Sequence, residues 1–281
     1  MIDAVLPGAT LGVLGSGQLG RMLAIAARRL GYRVHVLSPD QDTPTGQVAD
    51  LEVRAAYDDL DEVARFAQQV DVVTFEFENV LLQTVQAVER HAPVRPHGRV
   101  LHTTQHRLRE KSFLQGHGFP TTAFKAIRTD ADLEQLDADL LPGILKTAAW
   151  GYDGKGQARV DTPEELRRTW TELFQRQEAI LEGLVDFEFE LSMIGARGQD
   201  GQTVIYGPFE NVHHRHILDV TLCPGRIDAR TAREAGEMLP LLKRHEIQVL
   251  LAAKFSQAVV ARRAGVSVAT VQRVAAEDAV T

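Results

Sequence analysis

The sequence has one cysteine, Cys223, in 281 residues, which excludes an intramolecular disulfide framework. It has no run of about eighteen apolar residues, so no membrane span is expected. Asp3 interrupts the start before a basic-then-apolar leader could form, which argues against a signal peptide. There is no excess of positive charge: the formal net charge is -7, which argues against whole-chain attraction to nucleic acid or to an anionic membrane. These absences together lead to an expected cytoplasmic location with no membrane partner. Glycine and acidic residues also thin out after Asp228: residues 229–281 hold 8 Lys/Arg against 5 Asp/Glu, whereas residues 1–228 hold 23 against 33. Any nucleic-acid contact is therefore expected on that tail.

What is present is ordinary globular usage, 44% apolar and 25% charged, in a length suited to two or three domains. Thr10 to Leu14 is a short apolar run. It is followed by Gly15-Ser16-Gly17-Gln18-Leu19-Gly20 and by a helical pattern at Met22, Leu23, Ile25, Ala26 and Leu30. Gly31 ends that helix and Tyr32 to Leu37 alternates into a second strand, a βαβ unit with a right-handed crossover. The three glycines have phosphate-cradling spacing, and three readings stay open on these residues alone. Asp40, near the end of the second strand, suits a dinucleotide site; a mononucleotide phosphate suits the loop equally; and the glycines serve tight packing in a purely structural reading. Asp71 to Phe75 is a further buried strand that delivers Glu76 to its carboxyl end, where open α/β sheets bind ligands. Glu78 is expected to face solvent.

Arg107, Arg109, Glu110 and Lys111 fall on a predicted helix ended by Gly116 to Pro120, and a charged helix face is most simply solvated. Gly143 to Lys146 reads as a strand ending in lysine. The stretch Gly151-Tyr152-Asp153-Gly154-Lys155-Gly156-Gln157 after it suits a flap over phosphates, with lysine for charge and glycine for bare N–H donors. A turn-rich surface hairpin is the alternative. No Gly-Lys-Ser/Thr ending is present, which disfavours a P-loop. Ala179 to Val185 reads as a strand running into an adenine hinge, and Glu190 to Gly195 with Thr203 to Tyr206 as an antiparallel pair.

Five stretches together resemble the 5-(carboxyamino)imidazole ribonucleotide synthase family: Gly15 to Met22, Thr74 to Asn79, Gly151 to Gln157, Glu190-Leu191-Ser192 and Glu210 to His213. This family is the ATPase subunit of phosphoribosylaminoimidazole carboxylase, an ATP-grasp ligase of purine (IMP) biosynthesis. The resemblance covers residues 5 to about 227. It implies a Rossmann-like pre-ATP-grasp domain (1–104), a small ATP-grasp flap domain (105–185), the start of a large lobe (186–227) and a tail (228–281). It also implies an ATP-dependent C–N ligase that carboxylates 5-aminoimidazole ribonucleotide with bicarbonate, together with Mg2+ and the family's habit of dimerising. For ATP it implies Arg107, Lys146, Gly151, Asp153, Gly154, Gly156, Gln157, Glu182, Gly183, Leu184, Val185, Glu190 and His213. For the ribonucleotide it implies Gly15, Gly17, Gln18 and Leu19 at the phosphate, with Glu76, Tyr152 and Lys155 as the catalytic set near imidazole and ribose. The glycine loop is thereby read as a mononucleotide site, and Asp40 loses its role.

The family's pattern continues with a metal-binding glutamate, an Asn-Glu pair and an Arg-Pro-His-Asn-Ser-Gly-His stretch, none of which follows Arg226 in this sequence. Their absence predicts impaired phosphoryl transfer, no metal ligands, and an uncovered edge on the strands between Phe187 and Tyr206. In their place, Ser256 to Ala264, the turn at Gly265 to Ser267 and Val268 to Val274 have helix-turn-helix spacing similar to transposase amino-terminal domains. The alternative to a ligase is thus an inactive product of a gene disrupted by a mobile element, whose tail binds DNA.

Overall fold

The computed structural model describes residues 4–136, 140–149, 156–198, 202–214 and 217–236. Gly151 to Lys155 and the expected helix-turn-helix at 256–274 lie outside the described residues. The chain divides into two compact units, Met1–Glu110 and Lys111–Thr281.

In the first unit, β1 (Thr10–Leu14), β2 (Arg33–Ser38), β3 (Leu51–Arg54) and β4 (Val72–Phe75) form a sheet in the order β3-β2-β1-β4. All its pairings are parallel. Both faces are covered, as parallel sheets require. Alternation along β1 sends Val13 to one face, with Val34, Val36 and the small residues Ala24 and Ala27 of α1 (Gln18–Arg29). It sends Leu14 to the other, with Leu37, Val73 and Phe66 of α2 (Leu60–Ala67). Asp59 caps α2 by accepting from the Glu62 amide at 3.1 Å. α3 (Leu82–Glu89) adds Val85 and Val88, and α4 (Gly98–Thr104) adds Leu101, to that second core. Because β4 lies directly beside β1, the loop after β1 and the residues after β4 emerge together at the carboxyl ends of the sheet.

The second unit begins within α5 (Arg107–Gly116) and continues through β5 (Phe124–Ile127), α6 (Asp130–Glu134), β6 (Gly143–Thr147), β7 (Gln157–Val160), α7 (Pro163–Arg168), a π-helical turn at Thr169–Leu173 and β8 (Ala179–Gly183). Its antiparallel sheet has the order β5-β8-β6-β7. Ile127, Leu145, Leu181, Leu166 and the buried Trp170 form the core, and the Trp170 indole N–H donates to the Gln177 carbonyl at 2.8 Å. α5 closes through Gly118, whose φ of 76° a side chain would resist.

The expected strand from Ala179 to Val185 stops at Gly183. Gly183 pairs with Gly143, and the next partner would be Pro142, which has no N–H to donate. Beyond it, β9 (Glu190–Arg197), β10 (Thr203–His214) and β11 (Ile217–Leu222) form a second antiparallel sheet in the order β11-β10-β9. Among the described residues β9 has only β10 as a strand neighbour. Ile194, Val204, Tyr206, Ile217 and Leu218 on this sheet are each at least 50% exposed. After β11, Arg226 folds back on the buried Glu210, its backbone N–H 2.8 Å from Oε2 and its Nε 3.1 Å from both carboxylate oxygens. Asp228 then caps a helix covering 229–236, accepting from the Arg230 and Thr231 amides at 2.8 and 3.0 Å. The change of sequence character at Asp228 thus coincides with a helix start. No described helix is long and apolar enough to cross a membrane.

Candidate functional site

Two constellations hold most of the described residues singled out in the sequence, one in each unit. In the first, the turn after β1 brings the Gly15 to Gly20 loop against Glu76. The Glu76 Oε1 accepts from the Gly17 amide at 2.5 Å and Oε2 from the Gly20 amide at 2.7 Å. A Cβ on Gly15 would collide with the Glu76 side chain, and one on Gly17 would lie 2.8 Å from its Oε1. The glycines therefore receive a carboxylate of the protein itself. The amides of Gly17 and Gly20 are thus engaged by Glu76. Among the described residues the Gln18 and Leu19 amides, in the first turn of α1, have no protein acceptor. Those two donors remain at a helix N-terminus where an anion is favoured.

The cleft beside this loop is lined by Ser16, Asp40, Thr43, Tyr57, Glu76 and Phe77. Asp40 belongs to its wall, although the resemblance gave it no part. Burial, reinforced by the charges of Glu76 and Asp40, pushes the Tyr57 phenol up to about 12. Thr45, fully buried, steadies the loop by donating its hydroxyl to the Gly17 carbonyl at 2.9 Å. No spacing in the sequence signalled that residue. Glu78 is exposed, as alternation predicts.

In the second unit, Glu182 near the end of β8 is buried and receives a lysine on each oxygen. Lys146 Nζ lies 2.7 Å from Oε2 and Lys111 Nζ 3.2 Å from Oε1. Register explains the first contact: β6 and β8 are neighbours, with Ile144 opposite Glu182 and Lys146 two residues along the same strand face. Burial alone would raise the Glu182 pKa, but hydrogen bonds and charge from Lys146 and Lys111 outweigh it and hold it below the ordinary glutamate value. The α5 face is thus not merely solvated. Lys111, with its side chain 19% exposed, turns onto Glu182, a contact that no spacing in the sequence signalled.

Arg107 is the first residue of α5, in the first unit. Lys146 pairs with Gln157 across β6 and β7, and Thr147 donates to the Gly156 carbonyl at 2.8 Å. Gly156 has a φ of 71°. The strands on either side of the glycine-rich stretch are thus paired antiparallel. After β8, the Gly183 and Leu184 amides donate to the Ala123 and Pro142 carbonyls at 2.9 and 3.1 Å, so neither reads a base edge. Among the described residues the Val185 amide has no such acceptor, and Leu184 and Val185 expose apolar side chains at 44% and 52%. Glu190 and His213 meet across β9 and β10, with Nδ1 3.0 Å from Oε2. Among the described residues no three His, Cys, Asp or Glu side chains come together to hold a metal ion.

The model of the ribonucleotide synthetase pre-ATP-grasp domain matches residues 8–105, and that of the ATP-grasp domain matches residues 112–246. Residues 112–246 are thus similar to ATP-grasp domains. This match runs on past Asp228, so the family's sequence extends into the segment expected to be tail. The N5-carboxyaminoimidazole ribonucleotide synthase of Brucella melitensis is 40% identical over 231 residues, which is 82% of this chain and 64% of that protein. A solved ADP complex of an N5-carboxyaminoimidazole ribonucleotide synthetase has a TM-score of 0.81 at 37% identity, over 86% of this chain and 64% of that one. The Aspergillus clavatus synthase, solved with ADP and 5-aminoimidazole ribonucleotide, has a TM-score of 0.75 at 27% identity, over 83% of this chain and 61% of that one. The chain spans less than two thirds of the length of each of these relatives.

Proposed function

We propose that the second unit binds ATP and the first binds 5-aminoimidazole ribonucleotide, as in an N5-carboxyaminoimidazole ribonucleotide synthase of purine biosynthesis. The observation that carries this reading is the pair of lysines on one buried glutamate at the root of the glycine hairpin. Three charges summing to +1 form a fixed electropositive point beside which a polyphosphate is stabilised. The adenine rests on Leu184 and Val185, with the Val185 amide reading its edge, and Glu190, oriented by His213, takes the ribose hydroxyls. In the first unit the Gln18 and Leu19 amides take the ribonucleotide phosphate and Glu76, fixed by the glycines, faces the ribose and amine. Tyr152 and Lys155, the other two residues the resemblance implies for catalysis, lie outside the described residues. In the reaction the terminal phosphoryl group of ATP passes to a bicarbonate oxygen, releasing ADP. The ribonucleotide amine then attacks the carboxyl carbon, and phosphate leaves as the C–N bond forms. This is catalysis by positioning and charge neutralisation.

On this reading, ADP release depends on both bicarbonate and 5-aminoimidazole ribonucleotide. A coupled assay of ADP release tests this. Release that requires both bicarbonate and 5-aminoimidazole ribonucleotide supports the reading, and release indifferent to the ribonucleotide contradicts it.

A further inference from the structure

Glu182 has two oxygens and each has its own lysine. Lys146 comes from β6, which leads into the glycine hairpin, whereas Lys111 comes from α5 and lies 5.9 Å from the centre of the Phe124 ring on β5. The lysines therefore approach the carboxylate from different elements, and only Lys146 sits on the hairpin. An ammonium carries three donors and a carboxylate has about four lone-pair sites. A lone Lys146–Glu182 pair would close on itself with no net charge, because a buried carboxylate draws the lysine's donors to both of its oxygens.

We propose that Lys111 is a positioning residue of the nucleotide site: by engaging Glu182 Oε1 it neutralises the carboxylate, so that Lys146 keeps its charge and donors for the phosphates. The inference rests on the reading of Lys146 as a phosphate ligand. Lys111 itself touches no phosphate in this account. Its side chain is 19% exposed against 26% for Lys146, so it is the less accessible of the two.

The test is equilibrium binding of ADP and of adenosine to the full chain and three variants, with thermal unfolding followed alongside. Lys111→Met is expected to weaken ADP about tenfold, which is about 1.4 kcal/mol, and adenosine less than about twofold, because only ADP carries the charge that Lys146 meets. Lys111→Arg retains most of the ADP affinity. The double variant Lys111→Met/Glu182→Gln recovers ADP affinity toward wild type, since the carboxylate that captured Lys146 is gone; this arm also keeps the test decisive where the single variant folds poorly. Equal loss of ADP and adenosine, unchanged ADP binding in Lys111→Met, or no recovery in the double variant would overturn the proposal. Absence of ADP binding by the wild-type chain would instead overturn the site reading on which it rests.

Discussion

Glu76 lies on the amide of Gly17, with Oε1 2.5 Å from that nitrogen across 59 residues of sequence. A loop with the spacing of an anion cradle is thus occupied by an anion of the same chain. The arrangement follows from topology, because β1 and β4 are adjacent and parallel and the residues leaving their carboxyl ends meet.

Replacing Glu76 with Gln keeps the side chain's shape but turns one of its two acceptors into a donor facing the Gly17 or Gly20 amide. Loss of a charge-assisted pair and exposure of an unpaired amide cost about 1–3 kcal/mol. Denaturant unfolding should show this as a lower midpoint with unchanged slope. An unchanged midpoint would mean that the carboxylate does not brace the loop.

Gly143 offers a sharper steric test. A Cβ there would collide with the Leu140 carbonyl and lie 2.8 Å from that of Glu182; both are backbone, so neither yields by a rotamer change. Gly143→Ala is expected to lose about 1–3 kcal/mol. Gly116→Ala, where nothing lies within 4 Å, should be neutral or stabilising by up to about 1 kcal/mol. The two melting temperatures measured side by side check the contrast.

Glu182 makes stability depend on acid. Its folded-state pKa is held below the ordinary 4.5, so its contribution is complete above that value and drains away as pH falls through the lower folded value. Glu182→Gln leaves two lysines without their carboxylate and should cost about 3 kcal/mol at neutral pH, while the variant's stability changes less than wild type between pH 5 and about 3. Thermal melts across that window check both signs. A steeper acid loss in the variant would contradict the assignment.

Much of the frame was legible in the sequence. The run Thr10 to Leu14 is β1 residue for residue, and Gly31, with φ of 89°, stops α1 where a side chain would resist. Glycine punctuation and short apolar runs record local constraints, and local constraints are what a sequence states directly. The partner of the glycine loop was not legible, because whether its amides face a ligand or Glu76 depends on which strand lies beside β1. Lys111 was hidden for a similar reason: a lysine on a polar helix face looks solvated until β8 supplies the carboxylate it meets. Thr45 and the Glu210–Arg226 pair likewise exist only through tertiary contact. After β8 the Gly183 and Leu184 amides are committed to Ala123 and Pro142, which the sequence could not show because both bonds join distant segments.

The most direct measurement of the central claim is calorimetric titration of ADP into the 281-residue chain and into Lys146→Met. Saturable binding at one site per chain is expected, weakened about tenfold or more in the variant with both proteins folded. Wild-type chain that takes up no ADP, or a variant that binds it as tightly as wild type, would contradict it.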